Sequence, residues 1–292
     1  MSSTKTENDF SPYYEESQSI YDISNDFFAL FLGPTMGYTC SYFDHDGMTL
    51  DEGQNAKFDL ALGKLNLQPG MTLLDIGCGW GGGMQRAIEN YDVNVIGLTL
   101  SSTQRDYASA RLAKIPTGRN AEVRLQGWEE FDGKVDRIVS IGAFEHFGHD
   151  RYPAFFEMAY NALPDDGSML LHSITGITQE DAARLGIPLT LRTARFVRFI
   201  MTEIFPGGRL PTVAMVQEQA DKAGFTVARV QAIGQYYPRT LQEWAANLEA
   251  HREEAITAHS QEMYDRYMKY LTGCPELFSS GLLDVNQFTL QK

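Results

Sequence analysis

The residues with the plainest chemistry are Leu73-Leu74-Asp75-Ile76-Gly77-Cys78-Gly79-Trp80-Gly81. An apolar run ends on an acid and three glycines follow at alternate positions, the pattern of a buried strand turning sharply into a helix. Gly77 allows the tight turn, Gly79 lets the backbone approach a ligand, and Gly81 lets the helix start close to the strand. Gly77, Gly79 and Gly82 also satisfy G-x-G-x-x-G, so the turn alone leaves a dinucleotide open. A dinucleotide site wants an acid about 20 residues on, at the end of the second strand, for the ribose hydroxyls. That strand ends Val95-Ile96-Gly97-Leu98-Thr99, with no acid. Asp75 instead suits a cationic cofactor without phosphates, such as S-adenosylmethionine, whose amino group needs a counter-charge. A plainer role for Asp75, capping the turn, stays open at this point.

Elements that could position such a site follow from the pattern of apolar runs. Runs at 71–76, 93–98, 121–125, 135–141 and 168–174 read as strands, with helical stretches at about 82–90, 102–114 and 151–162 between them. That alternation predicts an α/β fold with a parallel sheet covered on both faces. Residues 1–18 are polar and acidic and read as a mobile tail. Short aromatic-rich helices are expected over 19–66. Beyond His172 the regularity breaks: 178–205 reads as helix with Phe196, Val197, Phe199, Ile200 and Ile204 on one face, stopped by Phe205-Pro206-Gly207-Gly208. A helix at 212–223, a strand at 225–233, a long helical region at 240–271 and a last strand at 284–290 complete the chain. The reading is one domain over 19–292 with a helical lid inserted at about 178–223.

Composition narrows the partners. With 292 residues and 43% hydrophobic content, the chain can fill a large core. A formal net charge of −14 makes nucleic acid an unsuitable main partner. Cys40, Cys78 and Cys274 are odd in number and lack CxxC spacing, so neither a disulfide framework nor a metal site is expected. Reduced thiols fit a cytoplasmic location. No run approaches the ~20 apolar residues of a membrane span, and a soluble chain is expected.

Further segments carry a resemblance. Asp75 to Gly81, Gly97-Leu-Thr-Leu-Ser101 with Gln104, Gln126-Gly-Trp-Glu129 and Ile141-Gly-Ala-Phe-Glu-His-Phe-Gly148 come in order, followed by Glu203-Ile-Phe-Pro-Gly-Gly-Arg-Leu-Pro211 and Tyr267-Met-Lys-Tyr-Leu-Thr-Gly-Cys274. Together, from about Tyr21 to the C-terminus, the chain resembles the mycolic-acid cyclopropane synthases and mycolic-acid methyltransferases, relatives of cyclopropane-fatty-acid synthase. The resemblance implies the Rossmann-like, seven-stranded α/β fold of class I S-adenosylmethionine-dependent methyltransferases. It implies a cofactor shell of Tyr38, Thr39, Asp75, Gly77, Gly79, Trp80, Gly81, Thr99, Leu100, Ser101, Gln104, Trp128, Glu129 and Ile141, with Gln104 taking the ribose role of the missing acid. The side chains suit those roles: an indole stacks on adenine and an amide bonds diol oxygens. Core packing is the plainer reading of Trp128.

The resemblance also implies the reaction, methyl transfer to the double bond of a long-chain unsaturated acyl group. An alkene is its own nucleophile, so no base activates it. Ring closure needs a proton removed from the new methyl in a dry site. In the resembling family the base is a bound bicarbonate, and its ligands map onto Cys40, Glu145, His172, Tyr237 and the backbone of Ile141. Glu145 and Ile141 follow the fourth strand and His172 is expected to end the fifth, at the carboxyl edge where open α/β sheets bind ligands. Taken singly, a histidine at a strand end is more often structural, and a lone cysteine more often a small buried apolar residue. Cys274, in the family's Leu-Thr-Gly-Cys motif, reads as structural because alkene methylation needs no thiol.

The acyl channel is expected under the lid and the N-terminal cover, with Phe27, Phe28, Phe147, Phe199, Ile200, Tyr236 and Tyr237 as candidate lining. Arg192, Arg195 and Arg198, at i, i+3 and i+6, form a basic stripe that could receive an acidic acyl carrier protein; a solvated face is the plainer reading. Ile20 stands where the family often has histidine before Tyr21-Asp22, which bears on substrate entry. Gly142 matches members that close cyclopropanes; members giving a hydroxymethyl branch tend to carry glutamate there. Alternative outcomes are a methyl branch, a generic small-molecule methyltransferase, and a non-catalytic lipid carrier.

Overall fold

The computed structural model describes residues 10–292; residues 1–9 of the expected tail lie outside them. Apolar runs become strands where the sheet buries both faces, as in Leu73, Leu74, Ile138, Val139, Leu170 and Leu171, all at most 2% exposed. Strands β1 (Thr72–Ile76), β2 (Asn94–Thr99), β3 (Ala121–Leu125), β4 (Arg137–Ile141), β5 (Ser168–Gly176), β6 (Thr226–Ala232) and β7 (Leu283–Gln291) form one sheet in the order β3-β2-β1-β4-β5-β7-β6. The first five pair in parallel, while β7 runs antiparallel between β5 and β6. The sheet is therefore mixed, not parallel throughout.

The strand order reverses between β1 and β4, which opens a crevice at their carboxyl ends. The covering helices are α1 (Tyr14–Tyr21), α2 (Asn25–Leu32), α3 (Leu50–Leu62), α4 (Gly82–Tyr91), α5 (Ser102–Leu112), α6 (Tyr152–Ala162), α7 (Gln179–Arg184), α8 (Leu191–Phe199), α9 (Val213–Lys222), α10 (Tyr237–Ala250), α11 (Arg252–Ala258), α12 (Gln261–Gly273) and α13 (Pro275–Ser279). Several start on a side-chain cap: Ser24, Thr49 in a box with Glu52, Ser101, Thr178, Thr190, Thr212 and Ser260.

Two expectations are corrected and a third is refined. The 178–205 segment is two helices, because Gly186 (φ +70°) and Pro188 interrupt it, and its end is a π turn at Ile200–Ile204. The helical region expected at 240–271 is present as three consecutive helices from Tyr237 to Gly273, so only its division is new. Residues 10–18, read as tail, carry the start of α1 and pack on the body: the buried Arg151 guanidinium donates to Ser11 O (2.7 Å) and stacks on the Tyr13 ring at 3.7 Å. Their polar composition hid that anchor.

Candidate active site

The glycine turn builds the floor of one cavity. Gly77 (φ +79°) and Gly79 (φ +53°) occupy the left-handed region, and a Cβ on Gly77 would come within 2.3 Å of the Ala143 Cβ. A Cβ on Gly79 would meet nothing within 4 Å: that backbone faces open space, a cradle for a ligand. Gly81 does not line the cavity. It starts α4 and a Cβ there would press on Ala108 of α5 at 3.0 Å, so its smallness serves helix–helix approach.

Every other residue expected to hold the cofactor lines this one cavity of about 1110 Å³, mouth included: Tyr38, Thr39, Asp75, Gly77, Gly79, Trp80, Thr99, Leu100, Ser101, Gln104, Trp128, Glu129 and Ile141. Asp75, 5% exposed at the end of β1, is pushed up to about 7 by burial, with Lys57 opposing the shift. A desolvated carboxyl in a cavity wall is a ready partner for a cationic ligand group. The Thr99 hydroxyl donates to Gln104 Oε1 (2.8 Å), which fixes the amide. Trp128 packs edge-on to Phe155 with centroids 5.4 Å apart. Glu129 is tied to Arg151 at 2.9 Å, its other oxygen buried without a partner. The donors and acceptors fit an amino acid–nucleoside ligand.

Helix α1 closes this cavity. Tyr13, Ser17 and Tyr21 line it; Gln18 Nε2 donates to Leu100 O (3.2 Å), and the Asp22 carboxylate accepts from Ser101 and Ser102. Lys57, absent from the sequence expectations, is 1% exposed in the same wall and donates to Thr39 Oγ1 (2.7 Å); burial lowers it to about 7. Only its place on α3 brings it there, so no local motif marks it.

A second, more apolar cavity of about 940 Å³ lies behind the first. Cys40, Glu145, His172 and Tyr237 all line it. Ile141, the fifth expected member, lines the first cavity instead. Glu145 sits on a 3-10 turn after β4 (Phe144–His146), 7% exposed; Oε1 accepts from Ile174 N (2.6 Å), while Oε2 is buried without a partner. Burial pushes its carboxyl up to about 7. His172 lies in the middle of β5, opposite Ile141 and Gln287, not at its end, because β7 extends the pairing to Gly176. Gln287 Oε1 accepts from Lys64, which leaves its Nε2 to donate to His172 Nδ1 at 3.3 Å and the ring proton on Nε2. Burial and the nearby Lys57 and Lys64 hold this imidazole well below its usual range, so it is neutral. Burial likewise raises the Cys40 thiol, whose Sγ faces Ser41 O (3.2 Å) and Ile233 O (3.6 Å), and the Tyr237 phenol.

Tyr21, Tyr38, Thr39, Gly142 and His146 line both cavities and form the wall between them. The Tyr21 hydroxyl and His146 Nε2 are 3.0 Å apart, and burial lowers His146 to about 4. Sequence reasoning missed His146, although it lies inside the Ile141–Gly148 stretch. Of the expected channel lining, Ile200 and Tyr237 face the apolar cavity and Phe147 the first cavity. Phe27, Phe28 and Phe199 are core, and Tyr236 packs on Tyr42. Cys274 lines the apolar cavity, its thiol pushed up to about 12 by burial. No cluster that could hold a metal occurs among the described residues, and no helix there is long and apolar enough to cross a membrane.

A family model described as mycolic acid cyclopropane synthetase matches residues 8–288. The S-adenosylmethionine-dependent methyltransferase UmaA of Mycobacterium tuberculosis is 62% identical over 281 residues, covering 96% of this chain and 98% of that protein. The structure of the cyclopropane synthase MmaA2 from Mycobacterium tuberculosis superposes with a TM-score of 0.96 at 58% identity, over 98% of this chain and 100% of that one. The mycolic acid cyclopropane synthase CmaA1 complexed with SAH and CTAB follows at 0.95 and 57%, over 98% and 100%.

Proposed function

Because the chain belongs to the mycolic acid cyclopropane synthetase family, we propose that it transfers a methyl group to a carbon–carbon double bond of a long unsaturated acyl chain, a mycolic acid precursor, and closes a cyclopropane ring. It is an enzyme of S-adenosylmethionine-dependent C-methyltransferase chemistry; the acceptor and the ring closure are the proposed part. The observation that carries the reading is the pair of cavities sharing one wall, the polar one suited to a charged cofactor and the apolar one to a hydrocarbon chain.

When bound, S-adenosylmethionine supplies an electrophilic methyl on a sulfonium. Asp75 would hold its amino group, the Thr99-anchored Gln104 its ribose, and Trp128 its adenine. Thr39 and Gly142 keep the shared wall thin: a Cβ on Gly142 would reach within 2.3 Å of the Thr39 Cγ2. The alkene π electrons would form the new carbon–carbon bond as the methyl–sulfur bond breaks and the sulfur leaves as a neutral thioether; the resulting carbocation would then lose a proton from the new methyl to the base as the ring closes.

Bicarbonate would supply the base for that proton. The unpartnered Glu145 Oε2 is the support for an anion or its proton sitting there, with neutral His172 and Tyr237 beside it. Cys40 and Ile141 fit less well, since Cys40 Sγ already faces two carbonyls and Ile141 borders the other cavity. Gly142 favours ring closure over the hydroxymethyl outcome: glutamate there would carry its backbone at φ +71° and displace Thr39. On charge alone, an acidic acyl carrier protein would suit the arginine stripe as carrier of the chain, and the three buried free thiols suit a cytoplasmic setting.

Incubation with methyl-labelled cofactor and unsaturated acyl lipids, read by mass spectrometry, tests the reading. Gain of one methylene with loss of the alkene is expected. Labelled product retaining the alkene means a methyl branch; unlabelled lipid with intact cofactor binding refutes the proposed acyl acceptor. Glu145→Gln is expected to abolish turnover and spare cofactor binding; full activity refutes the assigned site.

A further inference from the structure

Among the described residues, the large hydrophobic side chains that stand exposed all fall between residues 185 and 197: Leu185 (57%), Leu189 (52%), Leu191 (78%) and Val197 (40%). That stretch and its two flanking positions carry Arg184, Arg192, Arg195 and Arg198, and no acid occurs between Asp181 and Glu203, in a chain of net charge −14. Arg184 is paired with Asp181 at 2.8 Å and Arg192 loosely with Glu276 at 3.8 Å. Arg195 and Arg198 enter no ion pair among the described residues. The patch is continuous with the apolar cavity, because Val197, Ile200 and Met201 line it.

We propose that this lip of the lid, from Leu185 to Arg198, docks on an anionic lipid surface and opens the acyl cavity toward it. Exposed leucines interleaved with arginines are the chemistry of interfacial binding: apolar side chains enter the acyl boundary while guanidinium groups meet lipid phosphates. An acidic carrier protein needs only the arginines and leaves Leu185, Leu189 and Leu191 in water, so the leucines decide the partner. The acidity of the rest of the chain confines attraction to this face. The proposal rests on the apolar cavity taking an acyl chain.

The test is co-sedimentation of the full chain with vesicles of phosphatidylcholine alone and of phosphatidylcholine with phosphatidylglycerol, without substrate. Binding to the anionic vesicles only is expected, weakening as salt rises. Arg195→Gln/Arg198→Gln lowers partitioning about 30-fold, from about fivefold per arginine near an anionic surface. Leu189→Ser/Leu191→Ser lowers it about 100-fold, from about tenfold per leucine buried. Both variants keep the wild-type melting temperature and cofactor affinity, which separates lost docking from lost folding. No vesicle binding by the wild type overturns the proposal. So does binding to a purified acyl carrier protein that the arginine variant loses and the leucine variant keeps. Neither result touches the methyl-transfer reading, which fails separately if acyl lipids stay unlabelled.

Discussion

Glu145→Gln has a consequence for stability that a passive packing residue would not show. The carboxyl is buried, and its pKa rises from 4.5 to about 7 because desolvation penalises the charged form more than the Ile174 N–H relieves it. A shift of roughly 2.5 units corresponds to about 3 kcal/mol. The folded-state pKa is the raised one, so the favourable contribution is complete below pH 4.5 and is lost as pH climbs through about 7. Glutamine keeps an oxygen for Ile174 N–H and has no proton to lose. The variant therefore gains on the wild type by about 3 kcal/mol between about pH 4.5 and about pH 8, or about 6 °C in melting temperature for a chain of this size. Denaturant unfolding of both ligand-free proteins across that range reads the difference directly. Other buried groups, Asp75 included, titrate in both proteins and cancel. A stability difference that does not change with pH refutes the argument, because Glu145 would then hold one charge state throughout. The same substitution removes the acid proposed to face the base, so the variant is expected to be more stable at pH 8 and inactive.

Two further outcomes follow from the shared wall and the second cavity. Gly142→Ala combines a left-handed backbone, of order 1–3 kcal/mol, with a contact to Thr39 Cγ2; melting temperature and turnover should both fall. Adding Thr39→Ser, which deletes that methyl and keeps the hydroxyl facing Lys57, should return part of both, and no recovery would mean the wall is not the cause. Cys274→Ala should retain turnover within a few-fold while costing about 1 kcal/mol of stability, because a thiol pushed up to about 12 has negligible thiolate near neutral pH; a loss of several orders of magnitude in labelled-methyl transfer would restore it as a nucleophile.

The parts legible in the sequence were those governed by local pattern. Strands β1 to β5 and helices α4 to α6 match the apolar periodicity to within about two residues, since a doubly covered sheet writes itself as apolar runs. Most of the turn 75–81, though not Gly81, lines one cavity together with the motifs around Gln104 and Trp128. Long-range contacts were not legible. Lys57 reaches Thr39 from α3, the Tyr21 hydroxyl meets His146 across 125 residues, and Lys64 orients Gln287 from 223 residues away. The tail reading of residues 10–18 did not foresee their packing for the same reason: the anchor, Arg151, lies 140 residues from Ser11 in sequence.

The ionisable groups around the two cavities share one tendency. Asp75 and Glu145 are raised toward neutrality, Lys57, His146 and His172 are lowered toward it, and the Tyr21, Tyr38, Tyr237 and Cys40 protons are held on, with burial the largest cause in each case. A site built this way carries little charge of its own, so a cation arriving beside Asp75 meets a carboxyl that ionises in response, and a charge forming near Glu145 acts through a medium that screens it weakly. That suits a reaction whose nucleophile is a neutral π bond: the Cys40 and Cys274 thiols keep their protons, and the lone pair of His172 Nδ1 is taken up by Gln287. It also makes proton location decisive. His172 is held as the neutral tautomer by the Lys64–Gln287 chain, with its proton on Nε2, and Glu145 sits near the midpoint of its titration. Under the proposed reaction, a proton shared between Glu145 and an anion beside it would set the charge that the carbocation meets, in a cavity where burial leaves that charge weakly screened.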